Sequence, residues 1–520
     1  MKPYDVLIAG GGISGLYMAL KCCEKGLTVY MMEKDSRWGG RIHTIKHDGD
    51  MYEAGAARFH KNHKYIQKLI KRYAIETIPL DSRHREYRAV SCGGKAIESP
   101  AYKGITEIVK KSKQYPAKFL KSVTFGRFAE MAIGIAEKQI IQASFGYDGE
   151  FDVINAYDGV QMFSKDFNKS EVFYICKNGL GSIVDAMVKE LTGMNTWEGY
   201  LDQRITGIEH QDGLFRVTAA LLDGTKKNIQ AKTVVLALPK AALLDMGIWN
   251  QEQQALLNTV EGVACERIYA KYKTPWYDGI RITTTDIPIR QFIPITDKLA
   301  MVSYSDSKQA QTWNNTVETG TDALTRRITR QLKELFPELK VPSKPLWMEA
   351  YHWEDAIHMW KPNVNSSVIR KQIQHHLGED GLYICGEAYC SHQCWVDGAL
   401  QTVEQVLPSL SKKLGGKQEK GGAEKTWQQW VKAKNSKLNK KDLENLKKLY
   451  PDAKWVLFKD QLIDLTEWYY RHPGGQTPYD NHMHKNIYPF FTKISNHYDG
   501  KNIKNDVMGK IKELTIAKIV

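Results

Sequence analysis

The amino-acid sequence predicts an α/β protein organised around a parallel sheet. The chain opens with a strand at residues 4–9, a helix at 13–24 and a second strand at 28–33. Further buried strands are predicted at residues 233–238 and 381–385. An uninterrupted apolar run is typical of a strand that is covered on both faces. We therefore expect the first and last of these strands to meet in one nucleotide-binding domain.

The turn after the first strand has the pattern of a phosphate-binding loop. It reads Gly10-x-Gly12-x-x-Gly15 and leads directly into the first helix. Glycines at these positions let backbone N–H groups approach a pyrophosphate at the helix N-terminus. Glu33, eighteen positions beyond Gly15, ends the next strand and is placed to accept hydrogen bonds from a ribose hydroxyl. The unit predicts dinucleotide binding.

The middle of the chain predicts a domain inserted into this nucleotide-binding fold. Residues 60–145 show amphipathic helical patterns with little strand character, and residues 204–239 alternate as strands. A second sheet is expected around residues 265–305, followed by a helix at 321–336. The strands of that sheet are predicted at residues 267–272, 279–285 and 301–304.

The C-terminal part predicts a linker and a small separate module. Residues 411–450 hold twelve lysines against four acidic residues, which accounts for +8 of the formal net charge of +14. This clustering is typical of a solvated linker at residues 408–426 that enters a basic helix, so we expect no nucleic-acid partner. Two short strands around a turn, at residues 453–458 and 461–466, belong to the module at 427–520.

Composition indicates a soluble protein of two or three domains. The chain is 42% apolar and 25% charged, and it contains no run of eighteen apolar residues. Because it enters a strand without a cationic-apolar leader, we expect an unprocessed cytoplasmic protein without a membrane span. Eight cysteines fit a reducing compartment. Cys390 and Cys394 are either a redox pair on one helical face or two unpaired thiols.

Three motifs in one order resemble the flavin-containing amine oxidases. They are Glu33-x-x-x-Arg37-Trp38-Gly39-Gly40-Arg41, the turn Lys177-Asn178-Gly179-Leu180-Gly181, and Gly386-Glu387 followed by Trp395-Val396-Asp397-Gly398. The resemblance runs from residue 4 to about 407. It implies a Rossmann-like FAD-binding domain with an inserted mixed α+β substrate domain and a helical subdomain. FAD-binding parts are expected at about 1–60, 200–240 and 380–407, and substrate or helical parts at about 61–199 and 241–379.

The resemblance also implies which residues bind FAD. No cysteine occupies the position where monoamine oxidases attach their flavin, so non-covalent FAD is expected. The expected FAD-binding residues are Gly10, Gly12, Ser14, Gly15, Glu33, Arg37, Gly39, Gly40, Arg41, Gly55, Ala56, Ala57, Arg58, Ile205, Gly386, Glu387, Trp395 and Val396.

The segment of residues 52–59 indicates the substrate class. It resembles the branch of the family that contains L-amino-acid oxidases, in which the arginine corresponding to Arg58 binds the substrate carboxylate. A planar guanidinium gives a bidentate contact that a simple amine could not use. The alternative is a second pyrophosphate-facing or surface arginine. Trp395 and Tyr304 align with two aromatic walls that would orient the substrate's Cα–H toward the flavin.

Two positions depart from the family. Arg267 stands where a lysine usually holds a water against the flavin and assists reaction with dioxygen. An arginine does not lose its proton, so fast oxidase turnover is not expected. Residues 358–362 replace a small glycine-rich stretch and leave the pocket shape open. No general base is evident from the sequence.

The module at residues 427–520 resembles cytochrome b5. Residues 463–475 end in His472-Pro473-Gly474-Gly475, the position of an axial haem ligand in that family. A six-coordinate haem b needs a second imidazole, for which His497 has the appropriate separation of twenty-five residues. His482 and His484 are alternative ligands. The alternative to a haem site is a surface turn without haem.

Three functions follow from these patterns. The first is oxidative deamination of an L-amino acid to a 2-oxo acid, ammonia and hydrogen peroxide, with dioxygen or a redox partner, including the haem module, as electron acceptor. The second is a polyamine or monoamine oxidase in which Arg58 serves the cofactor. The third is a redox or scaffold protein that keeps FAD and haem without oxidising any amine.

Overall fold

The protein is described by a computed structural model as two compact units, Met1–Gly416 and Lys417–Val520. The structure describes residues 2–80, 85–166, 172–375, 380–415, 428, 431–432, 434, 436–449, 453–465, 483–488 and 505–519. Within these residues, no helix has both the length and the apolar character needed to cross a membrane.

The first unit contains a sheet that, among the described residues, has seven strands. These strands are β1 (Tyr4–Ala9), β2 (Val29–Met32), β10 (Trp197–Tyr200), β11 (Gln203–Gln211), β12 (Leu214–Leu221), β13 (Lys226–Leu236) and β19 (Leu382–Ile384). The order across the sheet is β10-β2-β1-β13-β12-β11, and β19 also pairs with β13. The strands β10, β2, β1, β13 and β19 pair in parallel.

The register of this sheet agrees with the prediction that distant segments share one domain. Val6 pairs with Thr233, and Leu236 pairs with Ile384, so strand β13 lies between the first and last predicted strands. The pairing residues of β1 and β19 are buried, apart from Tyr4 at the start of β1. The apolar runs are therefore covered on both faces, as their composition indicated.

Helices cover the sheet and form a helical subdomain. Helix α1 (Ile13–Cys23) packs on α15 (Val396–Lys413) and α9 (Gly181–Thr192), and their side chains share one core with the sheet. The helical subdomain has a core of its own and comprises α3 (Ala101–Ser112), α4 (Ala117–Ser122), α5 (Phe125–Ile133), α6 (Ile135–Phe145), α7 (Gly149–Asp152) and α8 (Ala156–Asp166). Short helices α2 (Lys64–Arg72), α10 (Lys240–Asp245), α11 (Gln251–Leu257) and α14 (Ser366–Gln374) connect these layers.

A second sheet, of seven strands within the described residues, forms the substrate part. Its order is β18 (Trp347–Trp360), β14 (Val260–Lys271), β17 (Leu299–Asp306), β16 (Gln291–Pro294), β15 (Thr283–Thr285), β7 (Glu86–Arg88) and β8 (Ala96–Glu98). Helices α12 (Ser307–Thr319) and α13 (Thr321–Leu335) connect β17 to β18 along the chain. The strands predicted in this region are present, although β15 begins at Thr283 and not at residue 279.

Two sequence-based expectations about the first unit need correction. Residues 60–145 contain strands β6 (Thr77–Leu80), β7 and β8, and β6 pairs with β9 (Phe173–Cys176) beside β5 (Phe59–His60). These strands are short and mostly solvent-facing, so they lack the apolar run that marks a buried strand. The predicted linker begins later than residue 408, because α15 continues to Lys413 despite Pro408. A small two-stranded sheet is formed by β3 (Thr44–His47) and β4 (Asp50–Glu53).

The interpretation of Cys390 and Cys394 as one helical face is also wrong. A 3-10 turn ends at Tyr389 and α15 begins at Val396, so the two cysteines lie on an irregular segment between them. Both are free thiols, as are the other six cysteines.

The second unit is a small α+β module. Its described strands are β20 (Lys437–Leu438), β21 (Trp455–Phe458), β22 (Gln461–Asp464) and β23 (Thr515–Ile519), in the order β20-β23-β22-β21. Helices α16 (Lys440–Leu449) and α17 (Asn505–Leu514) accompany them. The predicted hairpin is confirmed, because β21 and β22 pair in antiparallel register. His472, His482 and His497 lie outside the described residues.

Candidate active site

The glycine-rich turn between β1 and α1 is shaped by two close approaches. A Cβ on Gly15 would lie 1.9 Å from the carbonyl oxygen of Gly10, and a Cβ on Gly10 would lie 2.4 Å from that of Ala237. Gly10 also has a φ of +107°, a conformation that favours glycine. A Cβ on Gly12 would meet no atom within 4 Å, which leaves open space beside the N-terminus of α1.

That space is part of a cavity of about 640 Å³. Its size lies within the range of small-molecule and cofactor sites. The predicted cofactor residues that line it are Gly10, Gly12, Ser14, Glu33, Gly39, Gly40, Arg41, Ala56, Ile205, Gly386, Glu387, Trp395 and Val396. Gly15, Arg37, Gly55, Ala57 and Arg58 are not among the lining residues.

Glu33 lies at the mouth of the turn and is 7% exposed. Its Oε2 accepts a hydrogen bond of 2.6 Å from the backbone N–H of Gly11, and its Oε1 accepts one of 3.0 Å from Asp35. These contacts hold the carboxylate at the end of β2, on the wall of the cavity.

The two arginines of the first motif have different positions. Arg37 donates to the backbone carbonyls of Gly40, at 2.6 Å, and Ile42, at 3.2 Å, so it stabilises the loop from behind the cavity wall. Arg41 lines the cavity, and its Nη1 donates to Glu387 Oε2 at 2.8 Å. The structure thus presents Arg41, and not Arg37, to the cavity.

Gly55 supports Arg41 through the backbone. A Cβ on Gly55 would lie 2.0 Å from the carbonyl oxygen of Arg41, which also accepts a hydrogen bond from the N–H of Ala56 at 2.9 Å. Gly55 therefore acts through close packing, while Ala56 reaches the cavity wall.

A buried charge network that the sequence did not indicate lies behind Glu387. The ring of His358 is fully buried, and its Nδ1 lies 2.9 Å from Glu387 Oε2. Its Nε2 lies 3.6 Å from Asp355 Oδ2. Burial alone would raise the pKa of Glu387, but Arg41 and His358 outweigh it and hold this pKa at about 2. Burial would lower the pKa of His358, but the two carboxylates raise it above its ordinary value.

Trp395 caps the N-terminus of α15 and has a buried partner. Its indole N–H donates to Asp166 Oδ2 at 2.8 Å, and Asp166 Oδ1 lies 2.8 Å from His392 Nε2. The indole stacks on Phe173, with ring centroids 5.7 Å apart, and meets His63 edge-on at 4.8 Å. Burial raises the pKa of Asp166, but His392 outweighs it and the net shift is downward. The aromatic wall is therefore positioned by an anionic carboxylate.

His63, Asp166 and His392 bring potential metal-ligand atoms within 4.8 Å of one another. However, His63 Nδ1 accepts a hydrogen bond of 3.2 Å from the backbone N–H of His60, so in a neutral ring Nε2 carries the proton. Burial lowers the pKa of His63 to about 3, which keeps the ring neutral. A protonated Nε2 offers no lone pair to a metal. Asp166 and His392 therefore support Trp395 through hydrogen bonds, and His63 supports it through ring packing.

Arg58 is half-buried and lies against the ring of Phe173. Its guanidinium carbon is 4.9 Å from the centroid of the Phe173 ring. Among the residues that the structure describes, no acceptor forms a hydrogen bond or ion pair with it. Because Phe173 also stacks on Trp395, Arg58 presents an unpaired positive charge close to the aromatic wall.

Arg267 and Tyr304 lie opposite each other on β14 and β17. The Arg267 guanidinium lies 4.4 Å from the centroid of the Tyr304 ring, and it donates to the carbonyl oxygen of Glu53 at 2.8 Å. These contacts fix a side chain that is 8% exposed. Trp395 and Tyr304 contact different neighbours, since Tyr304 meets Tyr147 edge-on at 5.2 Å, so the proposed aromatic slot stays a prediction.

A second group of buried acids, also missed from the sequence, lies near Arg58. Asp306 is fully buried and accepts hydrogen bonds from the backbone N–H groups of Asp148, at 2.8 Å, and Gly149, at 2.7 Å. Burial and the neighbouring carboxylate of Asp148 raise the pKa of Asp306 to about 7. Glu150 is 9% exposed, and its Oε2 has no hydrogen-bond partner among the described residues.

Two models of known protein families match segments of the sequence. A model of NAD(P)-binding Rossmann-like domains matches residues 8–73. A model of flavin containing amine oxidoreductases matches residues 144–406, just over half of the 520-residue chain. The chain belongs to the flavin-containing amine oxidoreductase family. It is an FAD-dependent amine oxidoreductase, and enzymes of this family act on small-molecule amines with oxygen.

Individual relatives of this amine oxidoreductase are distant. Achacin of Lissachatina fulica is 20% identical over 496 residues, which cover 78% of this chain and 93% of achacin. L-amino acid oxidase Lm29 of Lachesis muta is 25% identical over 44% of this chain and 41% of its own length. The probable flavin-containing monoamine oxidase A of Dictyostelium discoideum is 33% identical over 15% of this chain and 17% of its own length.

The cavity of this amine oxidoreductase fits FAD. The open side of Gly12 and the N-terminus of α1, which lacks a side-chain cap, provide backbone donors for a pyrophosphate. Glu33 on the cavity wall would accept hydrogen bonds from a ribose, and the N-termini of α1 and α15 both open on the cavity through Ser14 and Val396. Arg41 contributes a cation on the same wall.

Proposed function

We propose that this chain oxidises the α-amino group of an L-amino acid, giving a 2-oxo acid, ammonia and hydrogen peroxide. The observation that carries the proposal is the unpaired Arg58 guanidinium against Phe173, whose ring stacks on Trp395. A half-buried arginine without a partner is expected to bind an anion, and a bidentate contact selects a carboxylate. The resemblance of residues 52–59 to L-amino-acid oxidases supports the same assignment.

The chain's own residues bind and orient the substrate in this proposal. Arg58 binds the carboxylate, and the indole of Trp395, fixed by Asp166, limits how the bound molecule can rotate. FAD, when bound, supplies the acceptor for the two electrons and the hydrogen of Cα. Arg267 keeps its charge and is held by Glu53 and Tyr304, so it cannot serve as a proton carrier.

The Arg58→Ala variant tests the proposal. We expect it to lose about 100-fold or more in kcat/KM for L-amino acids, because a charge-assisted bidentate contact is removed. Flavin content should be unchanged, since Arg58 does not line the cofactor cavity. The measurement is anaerobic bleaching of the flavin band by a mixture of L-amino acids. Arg127→Ala, at an exposed position on α5, is the matched control.

Two outcomes of this experiment contradict the proposal. Undiminished turnover in Arg58→Ala removes the carboxylate role. Bleaching of the wild-type flavin by polyamines or monoamines, with no response to L-amino acids, favours an amine oxidase in which Arg58 has another task. A flavin that no amine bleaches favours a redox or scaffold protein.

For the second unit we propose a cytochrome b5-like haem module that accepts electrons from the reduced flavin. The support is the sequence around His472, which follows the antiparallel hairpin β21–β22 predicted from the strand pattern. His484 is a poor alternative ligand, because its Nε2 lies 2.7 Å from the carbonyl oxygen of Ala453 and its ring stacks on Trp455. His497 therefore remains the preferred second ligand.

The His472→Ala variant tests the haem proposal. We expect the haem absorption band to disappear while the flavin bands remain, since an axial ligand is lost and the cofactor cavity of the first unit is unchanged. The measurement is a visible spectrum of the protein after addition of haem. A wild-type protein that takes up no haem, or a variant that keeps the band, overturns the proposal.

A further inference from the structure

Glu150 is a buried carboxyl group without a protein partner. The side chain is 9% exposed, and its Oε2 is buried with no hydrogen-bond donor among the described residues. Its own backbone N–H is the donor that the carboxyl group meets, and no described cation forms an ion pair with it. Native structures satisfy nearly all buried polar groups, so an unsatisfied carboxyl group indicates a ligand.

Glu150 and Arg58 form a pair of opposite charges that interact without touching. The positive charge of Arg58 acts on Glu150 through space, yet the two groups form neither an ion pair nor a hydrogen bond. An unpaired guanidinium and an unpaired carboxyl group that can ionise are complementary to a molecule that carries an anionic and a cationic group itself. An α-amino acid carries its carboxylate and its ammonium on the same carbon and meets this requirement.

The surroundings of Glu150 place it on the reactive side of the site. Tyr147, three positions before Glu150, meets Tyr304 on β17 edge-on at 5.2 Å. The N–H of Gly149 donates to Asp306 on the same strand at 2.7 Å.

The carboxyl group of Glu150 also acts through space on the thiols of Cys265 and Cys394. Cys265 precedes Arg267 by two positions on β14, so the two side chains point to the same face of the sheet. Cys394 directly precedes Trp395. Glu150 thus lies among the residues that frame the predicted substrate position.

We propose that Glu150 receives the α-ammonium group of the substrate and accepts its proton. This inference rests on the proposed L-amino-acid oxidation and names a residue for a step that the reaction requires. The α-nitrogen must lose one proton before its lone pair can support loss of hydrogen from Cα. In that step an N–H bond of the ammonium breaks, an O–H bond forms on Glu150, and the electron pair of the broken bond remains on nitrogen.

The raised pKa of the Glu150 carboxyl group suits this role. Burial and the neighbouring acids raise its pKa to about 8, while Arg58 opposes the shift. A raised pKa means that the carboxyl group is mostly protonated at pH 7 before substrate arrives. An incoming ammonium favours the carboxylate, so Glu150 releases its own proton to solvent and then takes one from the substrate.

Other titratable groups face this region. Asp306 and Asp148 raise the pKa of Glu150, and Arg290 partly neutralises them through an ion pair of 2.8 Å with Asp148. The thiols of Cys265 and Cys394 stay protonated, because burial raises both thiol pKa values well above their ordinary range. Glu150 is therefore the group expected to release the proton, while the carboxyl group of Asp306 stays bound to the backbone N–H groups of Asp148 and Gly149.

The experiment measures binding of an amino acid that cannot react. The probe is 2-methylalanine, which has no hydrogen on Cα, and binding to the FAD-loaded full chain is followed by calorimetry in two buffers of different ionisation enthalpy. At pH 7 the wild-type protein should release about one proton per bound molecule. Glu150→Gln should release almost none and should bind the probe about 10- to 100-fold more weakly, as expected for loss of a charged hydrogen bond.

Two controls separate this role from a structural one. Propionate carries the carboxylate without the ammonium, so its affinity should be equal in wild type and Glu150→Gln. Glu137→Gln, at an exposed position on α6, should behave as wild type. Glu150→Asp keeps a carboxyl group and should restore proton release. Should the glutamine variant fold poorly, proton release by the wild type must still fall as the pH rises through about 8.

The outcomes distinguish the two proposals. Equal affinity and equal proton release in wild type and Glu150→Gln overturn the role of Glu150, while leaving amino-acid oxidation intact. A wild-type protein that proves unable to bind 2-methylalanine, and whose flavin L-amino acids do not bleach, overturns both. Because the probe has no cationic side chain, proton release identifies the α-ammonium as the group that Glu150 receives.

Discussion

His358 shows how single residues set the electrostatics beside the cofactor cavity. Its ring has no exposed surface and lies between the carboxylates of Glu387 and Asp355. In the folded protein its pKa is raised above 6.5, and that of Glu387 is lowered from 4.5 to about 2. The His358 contribution to stability is thus fully present below pH 6.5 and is lost above the raised pKa. The Glu387 contribution is present above pH 4.5 and is lost toward pH 2.

This pH dependence of the His358 contribution to stability leads to a prediction for the His358→Gln variant. The variant should unfold at lower urea concentration than wild type at pH 5.5, where both charges are present. The difference in the free energy of unfolding should shrink as the pH rises past the raised pKa of His358, because the wild-type ring then loses its charge. Urea unfolding at saturating FAD measures both curves. A difference that is constant from pH 5.5 to pH 9 would show that the charge of His358 contributes nothing.

The residues that sequence reasoning missed lack a local sequence signal. Asp166 and His392 act through partners that are distant in the chain, such as the bond from Trp395 to Asp166 across 229 positions. Glu150 is identified by burial without a partner. By contrast, Gly10, Gly12 and Glu33 belong to a local unit whose spacing alone carries the chemistry. A buried carboxyl group has no sequence signal of its own. It becomes recognisable when burial and missing partners can both be seen.

At the scale of elements, the turn between β1 and α1 depends on contact between two backbones. The first turn of helix α1 packs against the carbonyl oxygen of Gly10. Gly15 therefore has no room for a Cβ. The third glycine of the motif therefore serves close packing, and the second serves the open space of the cavity.

We predict that Gly15→Ala disrupts FAD binding and stability together. The added Cβ would lie 1.9 Å from the Gly10 carbonyl oxygen and 3.2 Å from Met31 Cε, and the carbonyl cannot move without displacing the turn. Overpacking of this kind costs about 1–3 kcal/mol in unfolding free energy. FAD titration and urea unfolding measure the two effects. Gly193→Ala is the control, because its Cβ would meet Glu190 at an ordinary 3.4 Å; equal behaviour of both variants would contradict the packing argument.

Elements with a strong local pattern were predictable, and elements defined by their neighbours were not. Strand β1 and helix α13 have the periodicity of their type and lie where the sequence places them. Strand β8 (Ala96–Glu98) is exposed along its length and forms by pairing with β7. Strand β10 pairs with β2 in the nucleotide-binding sheet, although its sequence falls in the segment expected to belong to the substrate domain. Pairing partners, and not local propensity, decide such strands.

At the scale of the whole molecule, the chain divides into two units with cores of their own. The cofactor cavity is built from residues between Ala9 and Ala399, all within the first unit. The second unit has its own apolar clusters around Val456 and Trp455. The sequence predicted this division from the lysine-rich segment that separates the resemblances, because a charged, glycine-containing stretch cannot bury a core.

The strand order of the parallel sheet also determines when each strand finds its pairing partner during synthesis. Strand β1 leaves the ribosome first, but its partner β13 ends at Leu236 and the neighbouring β19 ends at Ile384. At translation rates of about 5–20 residues per second, β1 waits roughly 20–75 seconds before the last of these strands has been made. Until residue 236 has been made, nothing covers the edge of β1 that pairs with β13, and until residue 384 has been made, nothing covers the edge of β13 that pairs with β19. We therefore expect nascent chains to expose strand edges until residue 384 has emerged, and FAD to bind only after the cavity residues up to Ala399 have been made.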